Sequence, residues 1–388
     1  MRMRDVAIIG AGSTKFGELW GQSFRSLGIE AGMKAMASAG LSGEEIEAIY
    51  IGNMSSRFIK QQHIDALVAD YTGMAGKHVA STSIEAGGAS GGVAFRQGVM
   101  AVASGMHDVV IVGGAEKMTD LDDDSVNEVM NGTSDADWEA GMGISLTSLY
   151  AMIARRMMAD GIATREEIAA CAYNSHYHGQ FNKDAQFRKE IKLDTVLRAG
   201  PTAEPLTMFD GAPISDGASA VILCPLEHAK RYTDKYVKVA STAQASDTLA
   251  LFQRDSITSF GATRAAAAKA YADAGITAHD IDVAEIHDDY TVAGVMALQD
   301  LGLYEKGGKA FLDGDTKFDA GKIAVNTSGG LKAKGYPIGA AGVSQIVELF
   351  AQLTNTADNR QVPNAKYGLA QSVGGTGSAV TVSILEAM

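Results

Sequence analysis

The chain has 388 residues, 46% hydrophobic and 20% charged, which suits a soluble globular protein of two or so domains with a sizeable core. A formal net charge of −13 argues against long-range attraction to nucleic acid or to an anionic membrane. An anionic ligand would then have to be held by local cations, helix N-termini or backbone amides.

Cys171 and Cys224 stand far apart, with neither metal-type spacing nor a disulfide framework, so a reducing cytoplasm is the expected location. The first residues run almost at once into an apolar strand, without a signal segment, and no apolar run is long enough to cross a bilayer. Gly is abundant (44) and Pro scarce (6), favouring tight turns over Pro-rich linkers.

In chain order, the apolar patterning predicts a strand at 6–9, a helix at about 24–39, a strand at 47–51, a helix at 91–104 and a buried strand at 109–112. Residues of about 117–205 break the pattern. They open with an acidic turn (Asp120, Asp122, Asp123, Asp124), read as a solvated loop, and continue with a Met-containing helix near 147–159. This insert is too long for a simple connection and is expected to cover a site. The alternation then resumes, with a strand at 237–240, a helix at 262–274, a strand at 283–286, a helix at 339–353 and strands at 367–373 and 379–385.

The two stretches echo each other. AGLSGEEIEAIYIGN at 39–53 resembles AGITAHDIDVAEIHD at 274–288. Ser90-Gly91-Gly92 recurs as Ser328-Gly329-Gly330, and Val112-Gly113-Gly114 as Val373-Gly374-Gly375. Three matches in the same order argue for duplication of a unit of roughly 150 residues. The expected halves are 1–230, with the insert, and 231–388. Alternating β and α implies an α/β fold with helix-covered sheets.

Four blocks carry chemistry. Residues 83–92 (SIEAGGASGG) lead through a Gly-rich turn into a helix, whose free amides and positive dipole end would stabilise a nucleophile or an oxyanion; the same small residues would equally serve a close helix contact. At 285–290, Glu-Ile-His-Asp-Asp-Tyr closes a buried strand. There His287 can donate to an oxyanion, and Asp289 and Tyr290 can move protons. At 326–339, Asn326 can orient a water amid Gly-rich turns, though a surface loop with two solvated lysines is an equal reading. At 374–377, Gly-Gly-Thr-Gly joins two strands, either as a simple hairpin or as a turn whose amides approach a ligand.

Taken with the opening strand, Val112-Gly113-Gly114-Ala115-Glu116, residues 215–220 (SDGASA) and residues 368–377, these blocks resemble the thiolase family over essentially the whole chain. The likeness is to its archaeal and sterol-carrier-protein-type branch. The resemblance implies a five-layered αβαβα thiolase fold with two pseudo-repeated halves and a coenzyme A pocket under the insert. It implies that His287 with a water on Asn326 forms the thioester oxyanion hole, and that the turn of Gly375 and Gly377, beside the Gly88 amide, forms a second oxyanion site. It also implies a homodimer or homotetramer, a separate zinc-containing OB-fold partner, and no permanently bound cofactor, coenzyme A thioesters being substrate.

The departures are specific. The family's acylated Cys is here Gly88. Its Gly-His-Pro, which supplies the base, is Gly335-Tyr336-Pro337. Asp289 replaces a second Cys or small residue, and Gln371-Ser372 replaces His-Asn. Ser90 has no evident base, and neither Cys171 nor Cys224 lies where a displaced nucleophile would. Thiolysis needs a thiolate and its base, whereas an aldol or retro-aldol step needs only an enolate and an acid/base. The expectation is therefore carbon–carbon bond making or breaking through an acyl-CoA enolate, with His287, Asn326, Tyr336, Asp289 and Tyr290 as the working residues. The alternatives are a conventional acetyl-CoA acyltransferase whose Cys was removed, or a non-catalytic CoA-binding subunit.

Overall fold

A computed structural model describes residues 3–388. The first half runs β1 (Val6–Ser13), α1 (Phe24–Ala39), β2 (Ala48–Gly52), α2 (Ile64–Tyr71), β3 (Ala80–Ile84), α3 (Ser90–Ala103) and β4 (Val110–Glu116). The insert follows as α4 (Asp123–Asn131), α5 (Leu146–Ala159), α6 (Arg165–Gly179), α7 (Leu193–Leu197) and a small hairpin of β5 (Pro201–Ala203) and β6 (Leu206–Thr207). Then β7 (Gly217–Pro225) completes the half. The second half runs β8 (Val237–Ser246), α8 (Gly261–Ala274), β9 (Val283–Glu285), α9 (Thr291–Asp300), α10 (Gly307–Asp313), β10 (Ala324–Val325), α11 (Ile338–Leu353), β11 (Tyr367–Gly374) and β12 (Ala379–Ala387).

The strand order is β10-β9-β11-β12-β8-β1-β7-β4-β2-β3, and it reads the same way outward from its centre. Each half contributes five strands in equivalent order, joined where β1 meets β8 antiparallel (Ala7 opposite Lys238). The helix end seen twice in the sequence has one physical cause: Gly40 and Gly275 close α1 and α8 in the left-handed conformation, at φ 70° and 69°.

Apolar packing divides the molecule into five layers. One core lies between α1, α2 and the first half's sheet. A second binds α3 and α11 between strands of both halves. A third packs the other face of the second sheet against α8, α9 and the insert helices α5 and α6.

The two central helices meet through small residues. A Cβ on Gly342 would stand 2.3 Å from the Gly92 nitrogen, and one on Gly91 would stand 2.8 Å from the Gly339 carbonyl oxygen. Close approach at these glycines brings the N-termini of α3 and α11 to one point, where the site forms. The Ser-Gly-Gly repeat is not an equivalence in the fold. Ser90-Gly91-Gly92 opens α3, whereas Ser328 to Gly330 precedes a buried π-helical turn (Gly330–Lys334) ahead of α11.

β3 and β7 escape a reading of hydrophobic period. β3 is a short, largely polar and half-exposed edge strand. β7 is buried along its whole length and begins with small residues. The acidic turn is less a loop than a helix start, since Asp122 caps α4 by accepting from the Ser125 amide at 2.8 Å. Among the described residues no group of three or more His, Cys, Asp or Glu could hold a metal, and no helix is long and apolar enough to cross a membrane.

Candidate active site

β9 is parallel to both β10 and β11, so the chain leaves its C-terminal end into the kind of crevice where α/β sheets bind ligands. The exit, residues 286–290, is pinned on every side. Asn326 Oδ1 accepts from the Ile286 amide (2.7 Å), Gln371 Oε1 accepts from the His287 amide (3.2 Å), and the Asp289 carbonyl accepts from the Ala212 amide (2.7 Å). These bonds fix backbone direction, which is what holds the side chains in register.

At the centre, His287 Nε2 and Tyr336 Oη lie 3.1 Å apart, with the two rings edge to face. Gly88 is the third member. A Cβ built there would stand 2.3 Å from Tyr336 Oη, 2.4 Å from the Val373 carbonyl oxygen and 2.8 Å from His287 Cε1. The Tyr336 phenol therefore fills the space a side chain at 88 would need, and Gly88 and Tyr336 are one coupled change rather than two. Ser215 sets the phenol's approach, its Oγ accepting from the Tyr336 amide at 2.9 Å.

Burial opposes charge at this centre. It pushes the His287 imidazole down to about 3 and holds the Tyr336 phenol well above its ordinary value, with Asp289 and Tyr290 adding to the shift. Asp289 is held well above the usual carboxylate range by burial, with neighbouring Asp288 adding to it. Its Oδ2 lies 3.8 Å from His287 Nε2. Burial opposes charge on both groups, which disfavours an ion pair across that approach. His287 Nδ1 is buried without a partner. An unmatched lone pair costs less than an unmatched N–H, so the proton belongs on Nε2, facing Tyr336.

Tyr290 stands beside this centre. Burial raises its phenol to about 12, its hydroxyl bonds Thr147 Oγ1 at 2.7 Å, and its ring stacks on Tyr150 at 4.3 Å. The Tyr150 hydroxyl donates to the Gly375 carbonyl at 2.9 Å, tying the insert to the 374–377 turn. That turn does lie against the start of α3, since a Cβ on Gly87 would be 3.3 Å from the Gly375 nitrogen. Gly377 instead faces the Phe260 ring.

Other residues fall elsewhere. Asn326 stands beside Asp288. Its Nδ2 is buried without a partner and lies toward Gly330, where a Cβ would be 2.6 Å from it and 2.4 Å from Asp288 Oδ2. Ser90 Oγ accepts from the Ala86 amide and donates to the Gly87 carbonyl, so it shapes the turn. Burial raises the thiols of Cys171, well above its ordinary value, and Cys224, to about 12; both sit in packed elements. Lys332 and Lys334, read above as solvated in one alternative, are only 3% and 5% exposed. Tyr150 and Thr147 were not singled out in the sequence, and Ser215 stood there only as part of the 215–220 motif, with no site role. A polar aromatic on an amphipathic helix is an ordinary core residue until its partner across the fold is known.

One opening reaches the site and a second adjoins it. A cavity of 80 Å³ is walled by Tyr290, Tyr336, Thr147, Ala212 and Pro213. A groove of 790 Å³ shares Ala212 and Pro213 with it and carries Lys15, Arg188 and Lys189 at its exposed rim. Neutral O–H and N–H donors at one end and cations at the other suit a ligand whose charged part lies remote from its reacting part.

Known proteins extend this picture. Residues 6–227 match the model for the thiolase N-terminal domain, and 243–387 match that for the thiolase C-terminal domain-like family. The acetyl-CoA acetyltransferase of Methanothermobacter thermautotrophicus is 48% identical over 98% of this chain and 99% of its own. Sterol carrier protein 2 of Oryctolagus cuniculus is 30% identical over 97% of this chain and 71% of its own length. Among solved structures, the Ltp2–ChsH2(DUF35) aldolase shares the fold at a TM-score of 0.84 and 24% identity, over 100% of this chain and 99% of that one. The chain belongs to the thiolase superfamily.

Proposed function

We propose that this protein makes or breaks a carbon–carbon bond in an acyl-CoA thioester by an aldol or retro-aldol step through an enolate, without an acyl-enzyme. The observation that carries this reading is the Tyr336 phenol standing where a nucleophile at 88 would need room. In the cleavage direction, ionised Asp289 takes the β-hydroxyl proton, the Cα–Cβ bond breaks to release a carbonyl product, and the electron pair enters the thioester. His287 Nε2–H and the Tyr336 O–H, 3.1 Å apart, converge on the enolate oxygen. The proton returns to Cα, with Tyr290 as the nearby O–H that can carry it. Asn326 acts by holding the Ile286 amide, and so the strand end, rather than by touching substrate.

The names of the relatives pull in both directions, one an acetyltransferase and one an aldolase. The geometry at Gly88 favours the second. A panel of β-hydroxyacyl- and β-ketoacyl-CoA thioesters, run with and without free coenzyme A and read by mass spectrometry, separates them. Retro-aldol cleavage proceeds without free coenzyme A; thiolysis consumes it. Coenzyme A binding without turnover of any thioester would instead indicate a non-catalytic subunit.

The half-exposed edge strand β3 runs into the Gly87–Gly88 turn and offers unpaired backbone groups to a second copy, which supports a homodimer or a homotetramer built from it. The aldolase that shares this fold is a two-component Ltp2–ChsH2(DUF35) structure. It supports a separate partner polypeptide here, for which the family resemblance implies a zinc-containing OB fold.

A further inference from the structure

Glu116 closes β4 and is fully buried. Its Oε2 accepts from the Met54 amide at 2.8 Å and from the Gly339 amide at 3.0 Å, and its Oε1 accepts from the Asn53 side-chain amide at 2.7 Å. One carboxyl group thus ties the ends of β2 and β4 to the first turn of α11. Burial pushes it up to about 8, and the groups that draw it back are hydrogen-bond donors, none of them a cation. Every partner donates, so the ionised form satisfies them, whereas an acid would turn an O–H toward a donor.

Gly339 has no room to shift within this contact. A Cβ on it would stand 2.7 Å from the Asn53 Cα, 2.7 Å from the Gly52 carbonyl oxygen and 2.8 Å from the Ala115 carbonyl oxygen. Tyr336-Pro337-Ile338-Gly339 is a short stretch, stiffened by the fixed φ of Pro337. The Tyr336 amide donates to Ser215 Oγ at 2.9 Å. The stretch is therefore held at both ends, by Ser215 and by Glu116, and these anchors set where the phenol stands against Gly88 and His287.

Glu116 also reaches the phenol by charge. Burial is the largest cause that holds Tyr336 above its ordinary value, and Asp289, Tyr290 and Glu116 add to it. Tyr150 and His287 also stand near it, and none of these groups is a Lys or Arg. An amide at 116 could accept from the same two backbone N–H groups without burying a charge. It could not oppose a phenolate. We propose that Glu116 is a positioning residue for the reaction, fixing the Tyr336 hydroxyl through the start of α11 and keeping the proton on it by charge, without touching substrate. This rests on the reading of Tyr336 as a donor to the enolate oxygen.

Two substitutions separate the anchor from the charge. Glu116→Gln keeps an acceptor for Met54 and Gly339 and removes the charge. Glu116→Asp keeps the charge and withdraws it from Gly339 by one methylene. Each is made in protein carrying 3-fluorotyrosine at 336, whose fluorine resonance is followed with pH. Glu116→Gln should lower the pKa of that phenol by roughly one unit, and Glu116→Asp should leave it in place. Glu116→Asp should instead lower kcat roughly 10- to 100-fold with KM nearly unchanged, because the donor is displaced from the reacting atoms. An unshifted phenol in Glu116→Gln overturns the proposal, as does an unchanged kcat in Glu116→Asp. If Glu116→Gln does not fold, Glu116→Asp decides alone: a fall in kcat at an unshifted phenol supports the proposal, and any other result overturns it. A wild type that cleaves no thioester overturns the reading beneath, and the fluorine titration still decides whether Glu116 holds the phenol's proton.

Discussion

The two halves share one strand order but not one chemistry. In the first half, the turn from β3 into α3 is short and brings only backbone to the meeting point, through Gly87 and Gly88. The residue after β2, Asn53, spends its amide on Glu116 and the Ala115 carbonyl. In the second half, the matching positions after β9 and before α11 carry His287, Asp289, Tyr290 and Tyr336. A duplicated fold can thus keep one half as scaffold and load the other with acids and donors. What makes the division stable is steric, since the loaded half has grown into space that the bare half gave up.

The sharpest way to break that contrast is to return a side chain to the bare half. Gly88→Cys would place its Cβ against the Val373 carbonyl, which is backbone and cannot swing away, as well as against Tyr336 and His287. Overpacking of this kind costs about 1–3 kcal/mol. We expect a lowered Tm, loss of more than about 100-fold in cleavage, and no thiolysis in an assay following free coenzyme A. Adding Tyr336→His should recover part of the stability, because the phenol is the longer of the two obstructing side chains. Thiolysis by the single variant would mean that the halves are not coupled as described.

Removing one atom from the loaded half should come next in size. Tyr336→Phe keeps the ring and deletes the hydroxyl facing His287, so turnover should fall on the order of 1,000-fold, as for loss of a positioned proton donor. Stability should fall by about 1–2 kcal/mol, because His287 Nε2 is left buried without its partner. Single-turnover rates beside thermal melts separate the two effects.

The contrast also explains what could be read in the sequence. The repeat at 39–53 and 274–288 was visible because the same Gly cap and the same strand recur in both halves. The bare half's Gly-rich turn and the loaded half's His-Asp-Asp-Tyr were visible as residue types. What stayed hidden was which of them meet. Asn326 and His287 looked like partners, yet adjacent residues at a strand end point to opposite sides, and Asn326 falls with Asp288. Lys332 looked like a surface lysine because a Gly-rich loop ordinarily lies outside; the π-helical turn buries it. Tyr150 lay in the insert, whose helical period shows its buried face but not what that face touches.

Asp289 distinguishes function from stability within the loaded half. As base it must be ionised, so cleavage should rise with pH as the proton leaves, through a pKa well above the carboxylate range. In the unfolded chain the same group ionises near 3.8. Between those two values the folded state must hold a proton that the unfolded state releases. Its stability therefore falls as pH climbs from about 4 and levels off only above the folded pKa. Asp289→Asn should remove the rising limb, cut turnover on the order of 100-fold and raise Tm at neutral pH. A variant that loses activity without gaining stability would mean that the carboxyl is already ionised in the folded protein.

The smallest effect should come from Tyr150, which joins the insert to the turn lying against the bare half. Tyr150→Phe keeps the stack on Tyr290 and removes the hydroxyl, which donates to the Gly375 carbonyl and also acts on Asp289, lowering its pKa against the effect of burial. One neutral hydrogen bond contributes about 1 kcal/mol, so stability should drop by about that amount. If the Gly375 turn serves the reaction through its amides, the loss should appear in kcat, by several-fold, with KM nearly unchanged, because a loosened turn weakens transition-state contacts more than ground-state ones. If it serves only packing, Tm should fall while both kinetic constants hold. The two outcomes decide whether the bare half contributes to the chemistry or only bounds the space in which the other half works.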